Sequence, residues 1–280
     1  MKMTRIIAAA VAALGLAATA HAAGDGKKPE HHHWHHAGPF GTFDRAAVQR
    51  GFQIYTEVCS SCHGLAFLSF RNLGEEGGPF YGYIPDGDDH GGHHVQAVNA
   101  NDNPIVMQIA ANWRFPVVEI DPETGDPIER APRASDRFPG PFPNDAAARA
   151  SNGGALPPDL SLIVKARSHG ADYLRSLMLG YSDEIPEDVN IAPGQYYNEY
   201  FPGGAIAMPP QLIEGLVEYS DGTEATVEQM AEDITVFLAW AADPHMEARK
   251  RMGAMVLIFL FLFAVVLYLA YRQVWANVKH

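Results

Sequence analysis

Both cysteines of this 280-residue chain lie in one short motif, Cys59-Ser60-Ser61-Cys62-His63. C-x-x-C-H is the attachment signature of c-type haem. Two thiols at this spacing can add to the two vinyl groups on one edge of a porphyrin, and the adjacent histidine can then give a ring nitrogen to the iron. The motif therefore predicts one covalently attached haem c per chain, with His63 as an axial ligand.

A zinc site or a redox-active cysteine pair is the alternative interpretation of the motif. A structural zinc site needs four ligands and commonly a second cysteine pair, which this sequence does not contain. A thioredoxin-type pair lies next to a βαβ unit, and no such unit is predicted here. The sequence therefore favours haem over both alternatives.

A second constraint is a long apolar run near the C-terminus. Residues 252–271 are 20 positions without a charged side chain. A helix of that length is ~30 Å long, which is the thickness of a bilayer core. A buried globular helix would rarely be apolar on every face over five turns. Tyr268, Tyr271 and Trp275 cluster at one end, as aromatic residues do at a membrane interface, so we predict a transmembrane helix.

The N-terminus has the composition of a secretory signal peptide. Lys2 and Arg5 precede an apolar run at residues 6–18, and small residues follow at Ala20 and Ala22. The alternative, a transmembrane anchor, needs a longer apolar run. We therefore predict a signal peptide at residues 1–22 that is cleaved after Ala22.

These two segments predict a single-pass protein of the bacterial inner (cytoplasmic) membrane. Residues 23–248 would lie in the periplasm and residues 272–280 would form a cytoplasmic tail. The positive-inside rule disagrees with this topology, because residues 249–251 are all basic whereas the tail holds two basic residues. The signal peptide decides the orientation that we predict.

Charge is distributed unevenly along the chain. The whole chain carries −13; the two bases of residues 1–22 and the five of residues 249–280 leave −20 for residues 23–248. Such an acidic domain repels phosphates, so no nucleic-acid partner is expected. It suits a basic protein partner, although solubility explains the charge equally well. Residues 75–126 contribute ten acids against one base, Arg114.

Helical periodicity and capping residues predict a mainly α fold of short helices and long loops over residues 43–248. Asp44 is the expected N-cap of a helix that runs to about Val58 and ends at the motif. Further helices are expected at about residues 104–113, 160–167, 171–180 and 226–240. Residues 74–155 and 182–222 are otherwise expected to be irregular, and a haem would give this irregular chain something to fold around.

Histidine-rich segments are the remaining unusual feature. Residues 23–42 have no apolar period and are predicted to be a flexible leader. Its histidines, His31, His32, His33, His35 and His36, could bind a metal ion, as could the group His90, His93 and His94. A solvated tract without function is the simpler interpretation of both segments.

The sequence identifies the second axial ligand of the iron less directly than it identifies His63. Histidines and five methionines after the motif are candidates: Met107, Met178, Met208, Met230 and Met246. Met178 and Met230 lie within apolar helical patterns, and Met246 lies beside the membrane helix. Met208 precedes two prolines that hold the chain extended, so its thioether could approach the iron, although a lone methionine is as often a packing residue. His/Met ligation would raise the reduction potential.

Several blocks of this sequence resemble the cytochrome c1 family. They are RGFQIYTEVCSSCH (50–63), GALPPDLS (154–161), GY (180–181), YNEYFPGGAIAMPP (197–210), DGTEAT (221–226), WAA (240–242) and RKRMG (249–253). The resemblance covers about residues 43–275. It implies that the chain is a haem subunit of the cytochrome bc1 complex, with cytochrome b and a Rieske iron–sulfur protein as partners, in a complex that is expected to be dimeric.

The resemblance also implies roles for individual residues. Cys59 and Cys62 would bind the haem covalently, and His63 and Met208 would be the axial ligands of its iron. Three residues would line the haem pocket: Asn152, Ala155 and Pro158. Arg167 and Tyr173 would lie near the haem propionates, where a guanidinium would stabilise a buried carboxylate.

The implied function is quinol–cytochrome c reduction, in a respiratory or photosynthetic chain. The subunit would take single electrons from the Rieske protein and pass them to a soluble, basic c-type cytochrome, with no catalytic residues of its own. Two alternatives stay open: a free-standing, membrane-anchored cytochrome c that donates to an oxidase, and a metal-binding or sensor protein built on the histidines.

Overall fold

The computed structural model describes residues 26–82 and 99–277. The fold is mainly helical, as predicted. The helices are α1 (Arg45–Glu57), α2 (Pro104–Ala111), α3 (Asp145–Ser151), α4 (Ile163–Ala166), α5 (Gly170–Leu179), α6 (Val227–Ala242) and α7 (Met246–Trp275), with 3₁₀ helices at Cys59–Ser61 and Phe70–Gly74. Strands β1 (Val117–Ile120) and β2 (Pro127–Arg130) form one antiparallel hairpin, and β3 (Tyr196–Tyr197) and β4 (Ala205–Ile206) form another. The predicted signal peptide and His90, His93 and His94 lie outside the described residues.

Helix α1 packs along α6, and this pair forms the centre of the core. A Cβ on Gly51 would lie 2.1 Å from the main-chain oxygen of Asp233, so the helices can approach this closely only at a glycine. Phe52 and Tyr55 of α1 pack against Phe237 of α6, with ring centroids 5.6 and 5.7 Å apart. The C-terminal end of α1, where the motif begins, is therefore seated on a buried aromatic cluster.

One buried ion pair fastens the same two helices. The guanidinium of Arg50 donates two hydrogen bonds to the carboxylate of Asp233, both 2.9 Å long, and a third to Asp221 at 2.8 Å. The Asp233 side chain is fully buried. Because a buried carboxylate is costly without a partner, the geometry of α1 on α6 depends on Arg50.

Local signals predicted the starts of most helices correctly. Asp44 caps α1 by accepting hydrogen bonds from the backbone amides of Ala46 and Ala47, and Thr226 caps α6. Helix α4 is shorter than predicted, with four residues. The structure also adds elements that we did not predict: α3, which Asn144 caps, and the two hairpins. Residues 99–155 are therefore less irregular than expected.

The prediction of a flexible leader at residues 23–42 is wrong for its described part, because residues 26–42 pack against the domain. Trp34 is buried, and its Nε1 donates to Asp172 Oδ1 at 2.6 Å. The backbone amide of His32 donates to the same oxygen at 3.2 Å, and His31 Nδ1 lies 3.0 Å from Oδ2. Contacts of single residues hold this segment, and no regular apolar face does. Its sequence therefore shows no apolar periodicity.

Helix α7 is long and apolar enough to cross a membrane. It has 30 residues, its most apolar 18-residue window has a mean hydropathy of 2.8, and none of that window is buried. In the part of the chain that the structure describes, no other helix meets these criteria. The predicted span, residues 252–271, lies within α7, and the protein is membrane-anchored.

Candidate haem site

The haem motif forms a tight turn at the end of α1. The backbone amides of Cys62 and His63 both donate to the carbonyl oxygen of Cys59, at 3.1 and 2.9 Å. Ser60 is buried, and its hydroxyl donates to the carbonyl of Thr56 at 2.8 Å. The turn therefore fixes the positions of the two cysteines and the histidine at the C-terminal end of α1.

The two cysteine thiols are half-buried and free of a disulfide. Burial and the neighbouring Cys62 raise the pKa of Cys59 to about 12, so its thiol stays protonated at neutral pH. Redox-active pairs have lowered thiol pKa values, and they commonly lie at helix N-termini, whereas this motif follows the C-terminal end of a helix. The raised pKa of the Cys59 thiol and the position of the motif after a helix argue against a redox-active pair. In residues 26–82 and 99–277, no group of three or more histidine, cysteine or acidic side chains is placed to hold a metal ion.

The His63 ring is oriented by a main-chain acceptor. Its Nδ1 lies 2.7 Å from the carbonyl oxygen of Pro158, so Nδ1 carries the proton and donates it to that oxygen. Burial lowers the pKa of His63, which favours the neutral ring. The tautomer leaves Nε2 as the nitrogen with a lone pair, and this is the arrangement of a histidine that ligates a metal. The residues present therefore fit an axial haem ligand.

The segment that carries Pro158 is itself fixed to the chain just after the motif. Asp159 Oδ2 accepts from the amide of Ala66 at 2.8 Å, and the amide of Leu160 donates to the carbonyl of Gly64 at 2.9 Å. Ser161 Oγ accepts from the amide of Phe67 at 3.1 Å. Three cross-links therefore hold the Pro158 carbonyl in register with the His63 ring.

Asn152 and Ala155 lie at the start of the same segment, just after α3. The side-chain amide of Asn152 donates to the carbonyl of Ala148 at 2.7 Å, and the main-chain carbonyl of Asn152 accepts from the backbone amide of Ala155 at 3.0 Å. This turn directs the chain away from α3 toward Pro158. A role for Asn152 and Ala155 in a haem pocket stays a prediction.

Arg167 and Tyr173 are brought to the same side of the turn between α4 and α5. His169 makes this turn with a φ of 65°, in the left-handed region. Tyr173 is half-buried, and burial raises its pKa, while the charge of Arg167 lowers it. Arg167 is exposed, and its guanidinium donates a 3.4 Å hydrogen bond to the carbonyl of the adjacent Ala166. A cation and a phenol so placed could bind a carboxylate such as a propionate.

Met208 lies two residues after the β3–β4 hairpin, at a bend that precedes the two prolines and is not helical. The hydroxyl of Tyr181 donates to the carbonyl oxygen of Met208 at 2.9 Å. Burial raises the pKa of Tyr181, and the nearby Tyr173 adds to this shift. Met208, Tyr181 and Tyr173 therefore share one neighbourhood. Among the described residues, no hydrogen bond joins this group directly to His63.

The other methionines are placed differently. Met230 is fully buried and Met178 packs against the core, as their helical patterns indicated. Met246 is buried in the first turn of α7, and Met107 is exposed on α2. Of the five candidates, Met208 is the one that lies in a loop beside the other proposed site residues.

Three further residues hold the site in place, and the sequence patterns predict none of them in that role: Tyr55, Tyr181 and Asp159. The Tyr55 hydroxyl donates to the carbonyl of His63 at 3.0 Å, and the Tyr181 hydroxyl donates to the carbonyl of Met208. Asp159 accepts from the amide of Ala66. A signal was available for the tyrosines, because a buried tyrosine usually needs a hydrogen-bond partner for its hydroxyl.

A haem-attachment motif on a helical domain with one membrane helix defines the class of membrane-anchored cytochromes. The Cytochrome C1 family model matches residues 34–278. The chain therefore belongs to the cytochrome c1 family, the haem subunits of the cytochrome bc1 complex in electron transport.

Relatives in bacteria and mitochondria are similar over most of the chain. It is 38% identical to cytochrome c1 of Rhodospirillum rubrum, over 100% of this chain and 98% of the relative. It is 43% identical to the mitochondrial cytochrome c1 haem protein of Saccharomyces cerevisiae, over 88% of this chain and 72% of the relative. It is 44% identical to a protein of Bradyrhizobium diazoefficiens named cytochrome b/c1, over 97% of this chain. The chain spans only 39% of that longer relative.

Proposed function

We propose that this chain carries one covalent haem c in quinol–cytochrome c oxidoreductase, receives single electrons from the Rieske iron–sulfur protein and passes them to a soluble c-type cytochrome. The observation that carries the proposal is the geometry of His63. Its ring is held through Nδ1 by the Pro158 carbonyl, at the end of a helix that presents Cys59 and Cys62 beside it. Such a site orients a metal ligand beside two thiols.

The proposed ligand set follows from the placement of the residues. Cys59 and Cys62 would bind the haem edge, and His63 and Met208 would be the axial ligands. When bound, the haem supplies a centre that gains or loses one electron without making or breaking bonds. The protein's own contribution is to hold the histidine neutral, to exclude water and to tune the potential, which methionine ligation raises.

The surrounding residues would bind the rest of the group. Asn152, Ala155 and Pro158 would line the pocket, since all three lie on the segment that reaches His63. Arg167 and Tyr173 would bind the propionates. A charge-assisted hydrogen bond from Arg167 would stabilise a carboxylate that is costly to bury alone.

Cytochrome b and the Rieske protein are the proposed partners in the membrane. The name of the Bradyrhizobium relative joins cytochromes b and c1, and a Candida albicans relative is named a catalytic subunit of the cytochrome b-c1 complex. We propose that the folded domain lies in the periplasm, that residues 272–280 lie in the cytoplasm, and that the complex is dimeric.

The first experiment is a pyridine haemochrome spectrum of the purified protein, with a search for co-purifying b-type haem and a Rieske signal. The proposal expects a c-type spectrum that survives denaturation, together with both partners. A c-type spectrum without b-type haem would instead favour a free-standing cytochrome. A metal ion that survives dialysis, with no covalent haem, would favour the metal-binding alternative.

The acidic segment 75–126 is proposed to steer the soluble cytochrome. Glu75 and Glu76 are set aside as docking residues, because they lie beside the start of α7. There they pair with His245 and Arg251 at 3.7 and 3.3 Å. The turn of the β1–β2 hairpin, residues 121–126, is the more exposed acidic region. Electron-transfer rates to a basic cytochrome should fall as ionic strength rises, and a flat profile would contradict the steering.

A further inference from the structure

Phe40 is the most exposed large hydrophobic side chain among the described residues, with 90% of its surface accessible. It lies in a loop, residues 37–41, beside the first turns of α7. A groove of about 320 Å³ separates the loop from the helix, and Phe40, Gly41, Lys250, Arg251 and Ala254 are among its lining residues. The ring lies beside the exposed apolar side chains of α7, and a contiguous apolar surface of this kind marks a site of interaction.

Hydrogen bonds hold the loop, residues 37–41, against α7. Lys250 Nζ donates to the carbonyls of His36 and Gly41, at 2.8 and 3.0 Å, and so brackets the loop at both ends. The amide of Phe43 donates to Glu247 Oε1 at 2.9 Å. The position of Phe40 relative to the membrane helix is therefore fixed by hydrogen bonds.

The groove continues into the membrane-spanning surface. Ala254 lines it and lies inside the charge-free run at residues 252–271, so Phe40 lies at the level where the bilayer begins. Helix α7 carries three phenylalanines near its middle, Phe259, Phe261 and Phe263, and toward its far end Tyr268, Tyr271 and Trp275 form the predicted belt. The near end has no aromatic residue of its own from 246 to 256. Phe40 supplies an aromatic ring at this level.

We propose that residues 37–41 form a second membrane contact, in which Phe40 enters the leaflet nearest the folded domain and the groove seats a phospholipid. The bilayer is the occupant because the groove is continuous with the lipid-facing surface of α7. Two bases, Lys250 and Arg251, and two acids, Glu76 and Glu247, line the groove. Arg251 is exposed, and its pair with Glu76 at 3.3 Å is a surface pair that a lipid phosphate can replace. This proposal rests on the membrane helix and not on the haem assignment.

The test uses the full, haem-loaded chain in nanodiscs of phosphatidylcholine and phosphatidylglycerol. A nitroxide label is attached at Phe40→Cys and, as the matched control, at Ile213→Cys. Ile213 is 61% exposed and next to Glu214, which accepts a hydrogen bond from the first residue of α6, at the end remote from α7. Cys59 and Cys62 are expected to be blocked by the haem, and labelling of the unsubstituted chain checks this.

Power-saturation spectroscopy then compares collisions with oxygen, which concentrates in lipid, and with a water-soluble nickel chelate. We expect a several-fold higher oxygen-to-nickel ratio at position 40 than at position 213. Equal ratios would overturn the proposal. Loss of access to both reagents at position 40 in the purified bc1 complex would also overturn it, because a protein would then cover the ring.

A second variant guards against a label that disturbs the loop. Phe40→Trp keeps an aromatic ring, and its fluorescence is measured in nanodiscs that contain brominated lipid. We expect extra quenching relative to the unsubstituted chain. Quenching that does not exceed that of the unsubstituted chain would count against insertion of the loop.

Discussion

The two halves of the proposed haem site are built in different ways. On the His63 side, a regular helix ends in the motif, and Tyr55, Pro158 and Asp159 hold its residues through hydrogen bonds. On the Met208 side, the ligand candidate lies in an irregular loop after a two-residue strand, and one tyrosine hydroxyl holds its carbonyl. The difference indicates that the His63 side is the rigid foundation and that the Met208 side is the part whose position can be tuned.

The largest expected effect comes from removing the covalent attachment. We predict that Cys59→Ala combined with Cys62→Ala abolishes haem that survives denaturation, because no other cysteine is present to form the bonds. Haem staining after denaturing electrophoresis measures this. Ser61→Ala is the matched control within the motif, and it should keep the stain. A stained double variant would refute covalent attachment through these residues.

The second-largest effect is expected from a change on the Met208 side alone. Met208→Leu should leave the covalent haem in place but lower its reduction potential, since a thioether ligand raises it. Redox titration followed by absorbance gives the potential. Met107→Leu changes an exposed methionine on α2 and should leave the potential unchanged. If both variants titrate like the unsubstituted protein, Met208 is not a ligand.

The packing of α1 on α6, which supports the His63 side, depends on the buried ion pair between Arg50 and Asp233. Arg50→Ala should lower the free energy of unfolding by ~3–5 kcal/mol, because Asp233 would stay buried without its partner. Denaturant unfolding of the haem domain in detergent measures the change. Asp221→Asn removes only the more exposed partner of Arg50 and should cost at most about 1 kcal/mol. Equal losses would mean that the buried pair has no special role.

The smallest effects sharpen the comparison, because they change one hydroxyl on each side. Tyr55→Phe and Tyr181→Phe should each cost about 0.5–1.5 kcal/mol of stability. We expect Tyr181→Phe to shift the reduction potential more than Tyr55→Phe does, since it releases the carbonyl of Met208 while His63 keeps its bond to Pro158. A larger shift in Tyr55→Phe would reverse our view of which side is rigid.

Long-range contacts explain what the sequence analysis missed. His63 and Pro158 are 95 residues apart, and Trp34 and Asp172 are 138 apart. Neither contact leaves a local pattern in the sequence. The leader therefore shows no sign of packing, and only the family resemblance predicts a role for Pro158. The β1–β2 hairpin was missed for a related reason, since its strands have four residues each, most of them exposed, and lack the alternation that marks a half-buried strand.

By itself, the sequence determined the haem motif, the cap of α1 by Asp44, the non-helical chain at Met208 and the membrane helix. Each of these depends on interactions within a few residues or on composition, so each is visible as a spacing or a run. Only the tertiary structure decided that Pro158 orients the ring of His63, that Tyr181 holds Met208 and that the leader places Phe40 beside α7. These are contacts between single side chains and distant main-chain groups, and their partners are set by how the whole chain packs.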